Sequence, residues 1–481
     1  MLPELFLERM KEMLGEEYPA FLQSLDGENY RALHLNMRKA DIDKFQRESP
    51  FALRAVPWAD GGFYYEESDQ PGRHPLHAAG VYYIQEPSAM APVPFLEARP
   101  GERILDLCAA PGGKTIQIAD AMKGRGILVS NEMHPARARI LSENVERMGV
   151  ANAIVTNETP ERLAGEFPGY FDRILVDAPC SGEGMFRKND AACAQWSPEN
   201  VDMCAERQDQ ILSCAAMMLR PGGRLVYSTC TFAPQEDEGT VSRFLHLHPE
   251  FEIRRAERPE GFVGGEGRWT ADPAPGIEHT MRLMPHRLQG EGHYLAVLEK
   301  KGEQGTPRGS TGGLQSGIPK KEYAEFLAFQ REYLNGENRE GIFLRFGEQL
   351  YLGPADMPSL RGIKTLRCGL HLGTLKKNRF EPSHALALAL SPGEARQFID
   401  LSFDSGRAGR YIYGETISAR TDGPVRVNRA GMNGQTKSEG EKPAEDPRGW
   451  CLVCVDGYSL GWGKITGEVI KNHYPKGLRK G

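Results

Sequence analysis

The chain lacks any run of about 18 consecutive apolar residues, the length at which a membrane-spanning helix becomes a candidate. Its beginning also lacks the short apolar core, preceded by basic residues, that marks a secretory signal. The sequence therefore predicts neither a membrane span nor export, and we expect a cytoplasmic protein.

Cysteine is present, but not in a disulfide pattern. The nine cysteines lie at positions 108, 180, 193, 204, 214, 230, 368, 451 and 454. Because they form no framework of regular spacings, we expect free thiols in a reducing compartment. The Cys-x-x-Cys pair Cys451 and Cys454 lies in an apolar, strand-like run. That setting favours small buried residues over zinc ligands, so no metal site is expected.

The chain has no excess of basic residues. Lys and Arg number 59 against 65 Asp and Glu, which gives a formal charge of −6. Any contact with nucleic acid must therefore come from local patches. The acid-free stretch 361–380 carries Arg361, Lys364, Arg367, Lys376, Lys377 and Arg379, and residues 464–481 carry five basic residues and one Glu. Both stretches could neutralise RNA phosphates, although most charge runs are solvated surface.

At 481 residues the chain is long enough for two to four domains. From residue 103 onward, short apolar runs alternate with helical patterns. Strand-like runs lie at 103–107, 126–131, 153–156, 171–178 and 223–229, followed by a pair at 251–256 and 294–299, and helical periodicity covers 137–148 and 200–219. This alternation predicts a doubly wound α/β sheet with helices on both faces.

The first of these strands ends in a glycine-rich turn, Asp-Leu-Cys-Ala-Ala-Pro-Gly-Gly-Lys at 106–114. Gly112 and Gly113 have no Cβ, so a ligand can approach the backbone and the helix N-terminus that follows. The Gly-x-Gly-x-x-Gly pattern of dinucleotide sites is absent, and Asp106 would repel a pyrophosphate. S-adenosylmethionine, which is cationic, fits better. From this stretch alone, an ordinary strand–helix turn remains the alternative.

Two further strand ends carry a cysteine. Residues 171–184 read FDRILVDAPCSGEG, and residues 222–231 read GGRLVYSTCT. Each places a thiol just past the carboxyl end of a strand, the edge where open α/β sheets bind ligands. With the turn at 106–114, these motifs closely resemble the cofactor motif and the two cysteine motifs of RNA cytosine-5 methyltransferases of the RsmB/RsmF-type (NOL/NOP/Sun) family. Three motifs in this order, over about 130 residues, make a specific match.

The resemblance implies a Rossmann-like, S-adenosylmethionine-dependent methyltransferase core with a small α+β N-terminal subdomain and C-terminal α+β and PUA-like modules. The expected boundaries are 1–78 for an RNA-recognition-like subdomain, 79–300 for the methyltransferase domain, 301–319 for a flexible linker, 320–420 for a middle module and 421–481 for a PUA-like RNA-binding domain. Within the last of these, the polar residues 425–448 indicate a mobile loop.

The same resemblance implies the cofactor-binding residues. They are Glu132 and the turn residues Cys108, Ala109, Ala110, Pro111, Gly112, Gly113 and Lys114. Asp177 either binds the cofactor as well or lies between the cofactor and the base. Without the family motifs, Glu132 would equally be an acid at the start of a helix. Family members often have Asp at the position of Thr159 to hold the adenine, and here Glu158 lies beside it. The adenine contact therefore stays open.

The expected reaction requires a thiol. Carbon 5 of cytosine is a poor nucleophile until a thiolate adds to carbon 6 and forms a covalent intermediate. Cys180 and Cys230 supply thiols and Asp177 supplies an acid for the N3 edge of the ring, but the residues alone do not say which thiol attacks. By resemblance, Cys230 is the nucleophile and Cys180 assists product release. Lys188, after the Pro-Cys loop, is either an RNA-steering cation or a solvated lysine.

The end of the chain resembles the PUA-like domain of the RsmF branch. That implies small-subunit ribosomal RNA as the substrate and S-adenosylmethionine as the cofactor, in a protein expected to be a monomer. Two alternatives are methylation of cytosine in tRNA and a non-catalytic, RNA-binding ribosome assembly factor. The presence of Cys230, Cys180 and Asp177 disfavours the non-catalytic alternative.

Overall fold

The computed structural model describes residues 2–188, 190–303, 309–336, 339–419, 421–428, 442–443 and 447–479. The N-terminal part begins with two short helices and continues in a small sheet. Its elements are α1 Glu4–Leu14, α2 Tyr18–Leu25, β1 Ala32–Leu35, α3 Ile42–Glu48, β2 Arg54–Ala55, β3 Gly62–Tyr64, α4 Pro75–Ala78 and β4 Tyr82–Ile84. The four strands pair in the antiparallel order β2-β3-β1-β4.

Strands and helices alternate through the middle of the chain. The elements are α5 Pro92–Leu96, β5 Arg103–Asp106, α6 Gly113–Ala121, β6 Ile127–Asn131, α7 Pro135–Arg147, β7 Ala153–Thr156, α8 Pro160–Glu166, β8 Phe171–Asp177, α9 Asp190–Gln195, α10 Pro198–Met218, β9 Leu219–Thr229, α11 Glu238–Leu247, β10 Phe251–Ile253, β11 Phe262–Gly264, β12 Met281–Leu283 and β13 His293–Lys300. The predicted strands and helices are present within a few residues of their expected ends.

The C-terminal part contains two more sheets. Its elements are α12 Ala324–Tyr333, β14 Ile342–Phe346, β15 Gln349–Gly353, β16 Thr365–Cys368, β17 Leu370–Lys376, β18 Arg379–Pro382, α13 His384–Ala389, β19 Gln397–Leu401, α14 Arg407–Tyr413, β20 Ile417–Ser418, β21 Arg426–Val427, β22 Lys442–Pro443, β23 Gly449–Val455, β24 Tyr458–Thr466 and β25 Val469–Asn472. One sheet has the order β14-β15-β17-β18, and the other has the order β20-β25-β24-β23-β19-β21-β22.

The largest sheet has ten strands in the order β11-β12-β13-β9-β8-β5-β6-β7-β16, with β10 beside β13. Strands β5 to β9 are parallel, and β13 runs antiparallel to β9. Leu105 and Ile174 belong to one buried apolar cluster, whereas their chain neighbours Ile104 and Leu175 belong to a second. Because alternate strand residues point to opposite faces, both faces of this sheet are covered. The predicted α/β fold class is confirmed.

Strand β16 belongs to this large sheet although it lies far along the chain. It pairs antiparallel with β7 at the sheet edge, where Cys368 lies opposite Ile154. Cys368 and the nearby Ile363 are buried in the same apolar cluster as Ile154. A deletion from residue 320 onward would therefore expose the edge of β7 as well as remove the C-terminal sheets.

The acid-free stretch 361–380 does not form one free basic face. Arg367 is buried and forms an ion pair with Glu146 of α7. In the same stretch, Lys376 pairs with Glu348 at 2.6 Å and Arg379 pairs with Glu381 at 2.8 Å. Acids outside the stretch 361–380 thus pair with three of its six cations, and less positive charge is left for RNA than the composition indicated.

Residues 309–319 of the predicted linker form backbone hydrogen bonds with two other parts of the chain. The backbone of Thr311 donates to the carbonyl of Glu166 at 3.0 Å, and the backbone of Ile318 donates to Phe343 at 2.8 Å. Residues 304–308 lie outside the described part of the chain, as do most residues of the predicted loop 425–448. The domain boundaries themselves stay predictions.

One apolar cluster joins the two ends of the chain. It contains Leu33 and Phe63 from the N-terminal sheet together with Ile399 and Val453 from the C-terminal sheet. Cys451 belongs to the same cluster and Cys454 to the neighbouring one; both are fully buried, and burial raises the pKa of each thiol. Within the described ranges, no helix is long and apolar enough to cross a membrane, and no group of three or more His, Cys, Asp or Glu side chains could hold a metal ion.

Candidate active site

The glycine-rich turn connects β5 to α6, and it follows a buried carboxylate, Asp106, at the end of β5. Asp106 accepts a hydrogen bond from Thr115 Oγ1 at 2.6 Å, and burial raises its pKa to about 7. A Cβ added to Gly113 would lie 2.9 Å from Cδ of Gln85, a residue that follows the N-terminal sheet. Packing against the Gln85 side chain thus limits the space at this glycine, in addition to the ligand approach that the sequence indicated.

Glu132 follows the carboxyl end of β6. Its carboxylate is buried, accepts a hydrogen bond from the backbone N–H of His134 at 2.8 Å and lies 3.3 Å from Nη1 of Arg137. It faces a cavity of about 400 Å³. The predicted residues on the wall of this cavity are Cys108, Ala110, Glu132, Asp177, Cys180 and Cys230. The other predicted turn residues do not form this wall; they are Ala109, Pro111, Gly112, Gly113 and Lys114.

The two cysteines meet because their strands are adjacent and in register. Asp177 at the end of β8 lies opposite Ser228 of β9, so Cys180 and Cys230 follow at neighbouring strand ends. Their sulfur atoms are 3.3 Å apart, and both side chains are partly buried. The hydrogen bond with Cys230, followed by burial, raises the pKa of the Cys180 thiol well above its ordinary value. Cys180 is therefore held as a neutral thiol at neutral pH.

Asp177 is the ionised group beside these thiols. Its Oδ2 accepts a hydrogen bond from Lys114 Nζ at 2.8 Å, and its Oδ1 accepts one from Ser228 Oγ at 2.8 Å. Burial raises the pKa of Asp177, but the Lys114 charge and these hydrogen bonds outweigh burial and hold it below its ordinary value. The ring of His293 lies 3.8 Å away, and burial lowers its pKa to about 3, so the ring is neutral.

Three residues left open by the sequence have partners within the protein. Thr159 caps α8 by accepting a hydrogen bond from the backbone of Arg162. Glu158 accepts one from the backbone of Lys364 at 2.6 Å. Neither lines the cavity, whereas the next residue, Pro160, does. Lys188 Nζ donates to the Tyr30 carbonyl at 3.1 Å and lies 3.2 Å from Glu291. Its ammonium is therefore held by the protein.

Sequence reasoning missed two residues near the thiols. Arg207 of α10 is exposed and lines the cavity. Glu236 is fully buried, and burial raises its pKa to about 7. Glu236 belongs to the run Gln235-Glu236-Asp237-Glu238, and acidic runs usually indicate solvated surface. Composition therefore gave no signal for a buried carboxylate at this position.

Four family models match successive parts of the chain. A model described as the N-terminal domain of 16S rRNA methyltransferase RsmF matches residues 2–87, and one described as 16S rRNA methyltransferase RsmB/F matches residues 93–299. A first C-terminal domain of RsmF rRNA methyltransferase matches residues 328–390, and a methyltransferase RsmF PUA domain matches residues 398–480. All four descriptions name the same kind of methyltransferase.

Individual proteins are similar over almost the whole chain. The ribosomal RNA small subunit methyltransferase F of Vibrio vulnificus is 31% identical over 99% of this chain and 97% of its own length. The protein of the same name from Erwinia tasmaniensis is 30% identical over 99% of this chain and 96% of its own length. A methyltransferase homolog protein from Pyrococcus horikoshii has a solved structure with a TM-score of 0.54 and 28% identity, covering 62% of this chain and 95% of that one.

A second solved structure supports the fold alone. It is NSun6 from Pyrococcus horikoshii with SFG, with a TM-score of 0.52, 20% identity and coverage of 63% of this chain and 99% of that one. The family matches and the full-length relatives confirm the resemblance drawn from the three sequence motifs. The chain belongs to the RsmB/F family of 16S rRNA methyltransferases, in its RsmF branch.

Proposed function

We propose that this protein transfers a methyl group from S-adenosylmethionine to carbon 5 of a cytosine in 16S ribosomal RNA. The observation that carries the proposal is the pair of thiols, Cys180 and Cys230, 3.3 Å apart and beside the Asp177 carboxylate on one cavity wall. A non-catalytic assembly factor would need neither thiol at this position. Relatives named for the small ribosomal subunit, which cover 99% of the chain, favour ribosomal RNA over tRNA.

The cavity fits the cofactor in size and chemistry. Its volume of about 400 Å³ lies in the range of small-molecule sites, roughly 300–1,000 Å³. The buried Glu132 carboxylate has acceptor positions beyond those used by His134 and Arg137, as a pair of ribose hydroxyls requires. When bound, S-adenosylmethionine supplies a methyl group made electrophilic by its positive sulfur. We assign its binding to Glu132 and to the turn 108–114, of which Cys108 and Ala110 line the cavity, with Asp177 between cofactor and base.

Cys230 is assigned the attack. Its thiolate adds to carbon 6 of the cytosine, and the electron pair of the carbon 5–carbon 6 double bond moves into the ring toward carbon 5 and N3. Lys114, held by Asp177 at 2.8 Å, offers an ammonium to the negative charge that develops on the ring. Carbon 5 thus becomes nucleophilic while the negative charge on the ring is balanced by the ammonium.

Cys180 is assigned to the release step. After carbon 5 has been methylated it loses its proton to a base or to water, and the carbon 6–sulfur bond breaks to restore the aromatic ring. The sulfur that leaves is the Cys230 thiolate, and the neutral Cys180 thiol 3.3 Å away can donate a hydrogen bond to it. A leaving thiolate stabilised in this way departs faster, which gives Cys180 its role in product release.

The C-terminal sheet offers a surface for RNA. Lys464 of β24 lies opposite Lys471 of β25, so two exposed cations stand side by side. Lys464 also lies 5.4 Å from the ring centre of Trp450. Such a pair suits phosphate contact.

The thiols, the cavity and this surface all lie in one chain, so the proposed reaction needs no partner subunit. We therefore assign a monomer acting on ribosomal RNA in the cytoplasm.

Bisulfite sequencing tests the reaction and its target together. Total RNA from cells with and without this protein is compared, and one or more cytosines of 16S rRNA should resist conversion only when the active protein is present. Cells that express only Cys230→Ser serve as the control and should match the cells without the protein. A protected cytosine that appears in tRNA instead would replace the proposed substrate by the alternative.

The assignment of Glu132 predicts a loss of cofactor affinity in the variant Glu132→Ala. Removing a charge-assisted acceptor for two hydroxyls should weaken binding of S-adenosylmethionine by about 1–3 kcal/mol, measured by calorimetry. The matched control is Glu143→Ala, which removes an exposed carboxylate from the helix that follows Glu132, α7. Equal affinities of the Glu132 variant and the wild type would remove Glu132 from the site.

A further inference from the structure

A buried carboxylate links the two loops that carry the thiols. Glu236 Oε2 accepts a hydrogen bond from the backbone N–H of Ser181, the residue after Cys180, at 2.9 Å. Its Oε1 accepts a second hydrogen bond from the Ser181 hydroxyl. Both side chains are almost completely shielded from water. The loop that presents Cys180 is therefore tied to Glu236 through its next residue.

The same link reaches the residue after Cys230. The oxygen atoms of the Ser181 and Thr231 hydroxyls are 2.8 Å apart. Because the Ser181 proton is directed to Glu236, the Thr231 hydroxyl is the donor between them. Thr231 Oγ1 in turn accepts from the backbone N–H of Ala233 at 3.3 Å. One unbranched chain of hydrogen bonds thus runs from the loop after β9 through Ser181 to Glu236.

A third contact fixes the start of the Pro-Cys loop. Gln208 Nε2 donates to Glu236 Oε2 at 2.9 Å and to the carbonyl of Pro179 at 3.1 Å. Glu236 is itself held by the Tyr227 hydroxyl, which donates to its backbone carbonyl at 2.6 Å. The residues on both sides of Cys180 are therefore connected to the same carboxylate.

We infer that Glu236 is the positioning residue that holds the Cys180 and Cys230 loops so that their sulfur atoms stay within contact of each other. This inference deepens the proposed function, on which it rests for the roles of the two thiols. It assigns Glu236 no contact with RNA or cofactor. Loss of Glu236 should therefore move the two thiols apart and leave cofactor binding unchanged, because Glu132 and the turn at 106–114 follow other strands.

The neighbouring carboxylate Glu238 provides a matched control. It is equally buried and only two residues away, but its partner is Arg282, with Nε 2.7 Å from Oε1. Among the described residues, its hydrogen bonds reach neither thiol loop at residues 179–181 or 230–231. Glu238→Ala should therefore destabilise the fold, as Glu236→Ala does, without releasing the thiol loops.

The first test measures the distance between the thiols and needs no methylation. Phenylarsine oxide condenses with two closely spaced thiols, with release of water, and Cys230→Ser defines the background of other sites. The affinity of Glu236→Ala for this arsenical should fall by about tenfold or more, since the second sulfur bond forms only when the partner thiol is held nearby. Glu238→Ala should bind the arsenical like the wild type. Wild-type affinity in a folded Glu236→Ala variant would overturn the inference.

The second test measures catalysis. In Glu236→Ala, kcat should fall by about 100-fold while KM for S-adenosylmethionine is unchanged, because small misplacement of reacting groups costs this much. Glu236→Gln has nearly the same shape and keeps an oxygen for the Ser181 backbone and Gln208. It should recover most of both the arsenical affinity and kcat. If Glu236→Ala does not fold, Ser181→Ala removes the hydroxyl that joins Thr231 to Glu236, although the backbone bond of residue 181 to Glu236 remains. An unchanged arsenical affinity in that variant would refute the coupling of the Cys230 loop to Glu236.

The two tests distinguish failure of the positioning role from failure of the proposed reaction. A wild-type protein that binds the arsenical through Cys180 and Cys230 but methylates no RNA would refute the proposed reaction and leave the positioning role intact. A wild-type protein that methylates RNA, with Glu236→Ala equal to it in arsenical affinity and in kcat, would refute the positioning role alone.

Discussion

Replacing Cys230 by serine should abolish methyl transfer and leave no covalent protein–RNA adduct. A serine hydroxyl is essentially un-ionised at neutral pH, so it cannot replace a thiolate in the addition to carbon 6. The rate should fall by a factor on the order of 10⁴ or more, as it does when the nucleophile of a covalent mechanism is removed. Transfer of a labelled methyl group measures the rate, and a denaturing gel of protein incubated with 16S rRNA detects the adduct.

The companion variant Cys180→Ala should behave in the opposite way on the gel. Attack by Cys230 and methylation are still possible, but the departing thiolate loses the hydrogen bond from the sulfur 3.3 Å away. A denaturant-resistant adduct should therefore accumulate when S-adenosylmethionine is present. Cys193→Ala, which removes a thiol outside the cavity wall, is the control and should turn over like the wild type.

Three gel patterns distinguish the possible roles. An adduct from Cys180→Ala alone supports attack by Cys230 and release assisted by Cys180. An adduct from Cys230→Ser alone would exchange the two roles. Wild-type turnover in both variants, with no adduct in either, would exclude covalent catalysis by these thiols.

The meeting of the two thiols was predictable from local pattern, because both follow buried strands and parallel strands end at one edge of a sheet. The pattern does not determine the register in which β8 pairs with β9. Asp177 lies opposite Ser228, and this pairing sets the distance between the two cysteines. A shift of the register would move the loops apart although the sequence motifs would be unchanged.

Two cations whose roles the sequence left open are held by residues far from them in the chain. Arg367 appeared to belong to an RNA-binding stretch, but its partner Glu146 is 221 residues away. The sequence left Lys188 as either an RNA-steering cation or a solvated lysine, but its ammonium donates to the carbonyl of Tyr30, 158 residues away. Local composition contains no information about either partner, so cations that are paired or bonded in the fold are indistinguishable in the sequence from solvated ones.

Glu236 illustrates the same limit for acids. Its neighbours in the chain are polar, yet the turn between β9 and α11 buries its carboxylate beneath Ser181. Burial of a carboxylate is tolerated only when several donors satisfy it, and the donors to Glu236 come from two distant segments of the chain, the Pro-Cys loop and α10. A search for acids with such donor sets requires coordinates.

Replacing Asp177 by asparagine should reduce kcat by a factor of about 10²–10³, the usual cost of losing a group that stabilises charge in the transition state. The amide lacks the negative charge that holds Lys114 at 2.8 Å, and it can direct an NH₂ group toward that ammonium. Lys114 would then be a partly buried cation without a counter-charge, no longer aimed at the ring. Measurement of kcat and of KM for S-adenosylmethionine separates a contact with the cofactor, which would change KM, from an effect at the base, which would change kcat.

The control for this variant is Ser228→Ala, which removes the other donor to Asp177 but keeps both charges. Its kcat should fall far less than that of Asp177→Asn. If the two variants lose activity equally, the hydrogen-bond geometry around Asp177 matters and its charge does not. A rise in KM for the cofactor with unchanged kcat in Asp177→Asn would place Asp177 at the cofactor and not at the base.

The stability of Asp177→Asn should also depend on pH in a defined direction. The pKa of Asp177 is lower in the fold than its ordinary value of about 4, so its ionised form stabilises the fold above that pH, and this contribution is lost as pH falls through the folded-state pKa. The variant should therefore unfold at lower denaturant concentration than the wild type at pH 7, and the difference should shrink toward pH 3. A difference that is the same at pH 7 and pH 3 would mean that packing of the amide, and not loss of the charge paired with Lys114, causes the instability.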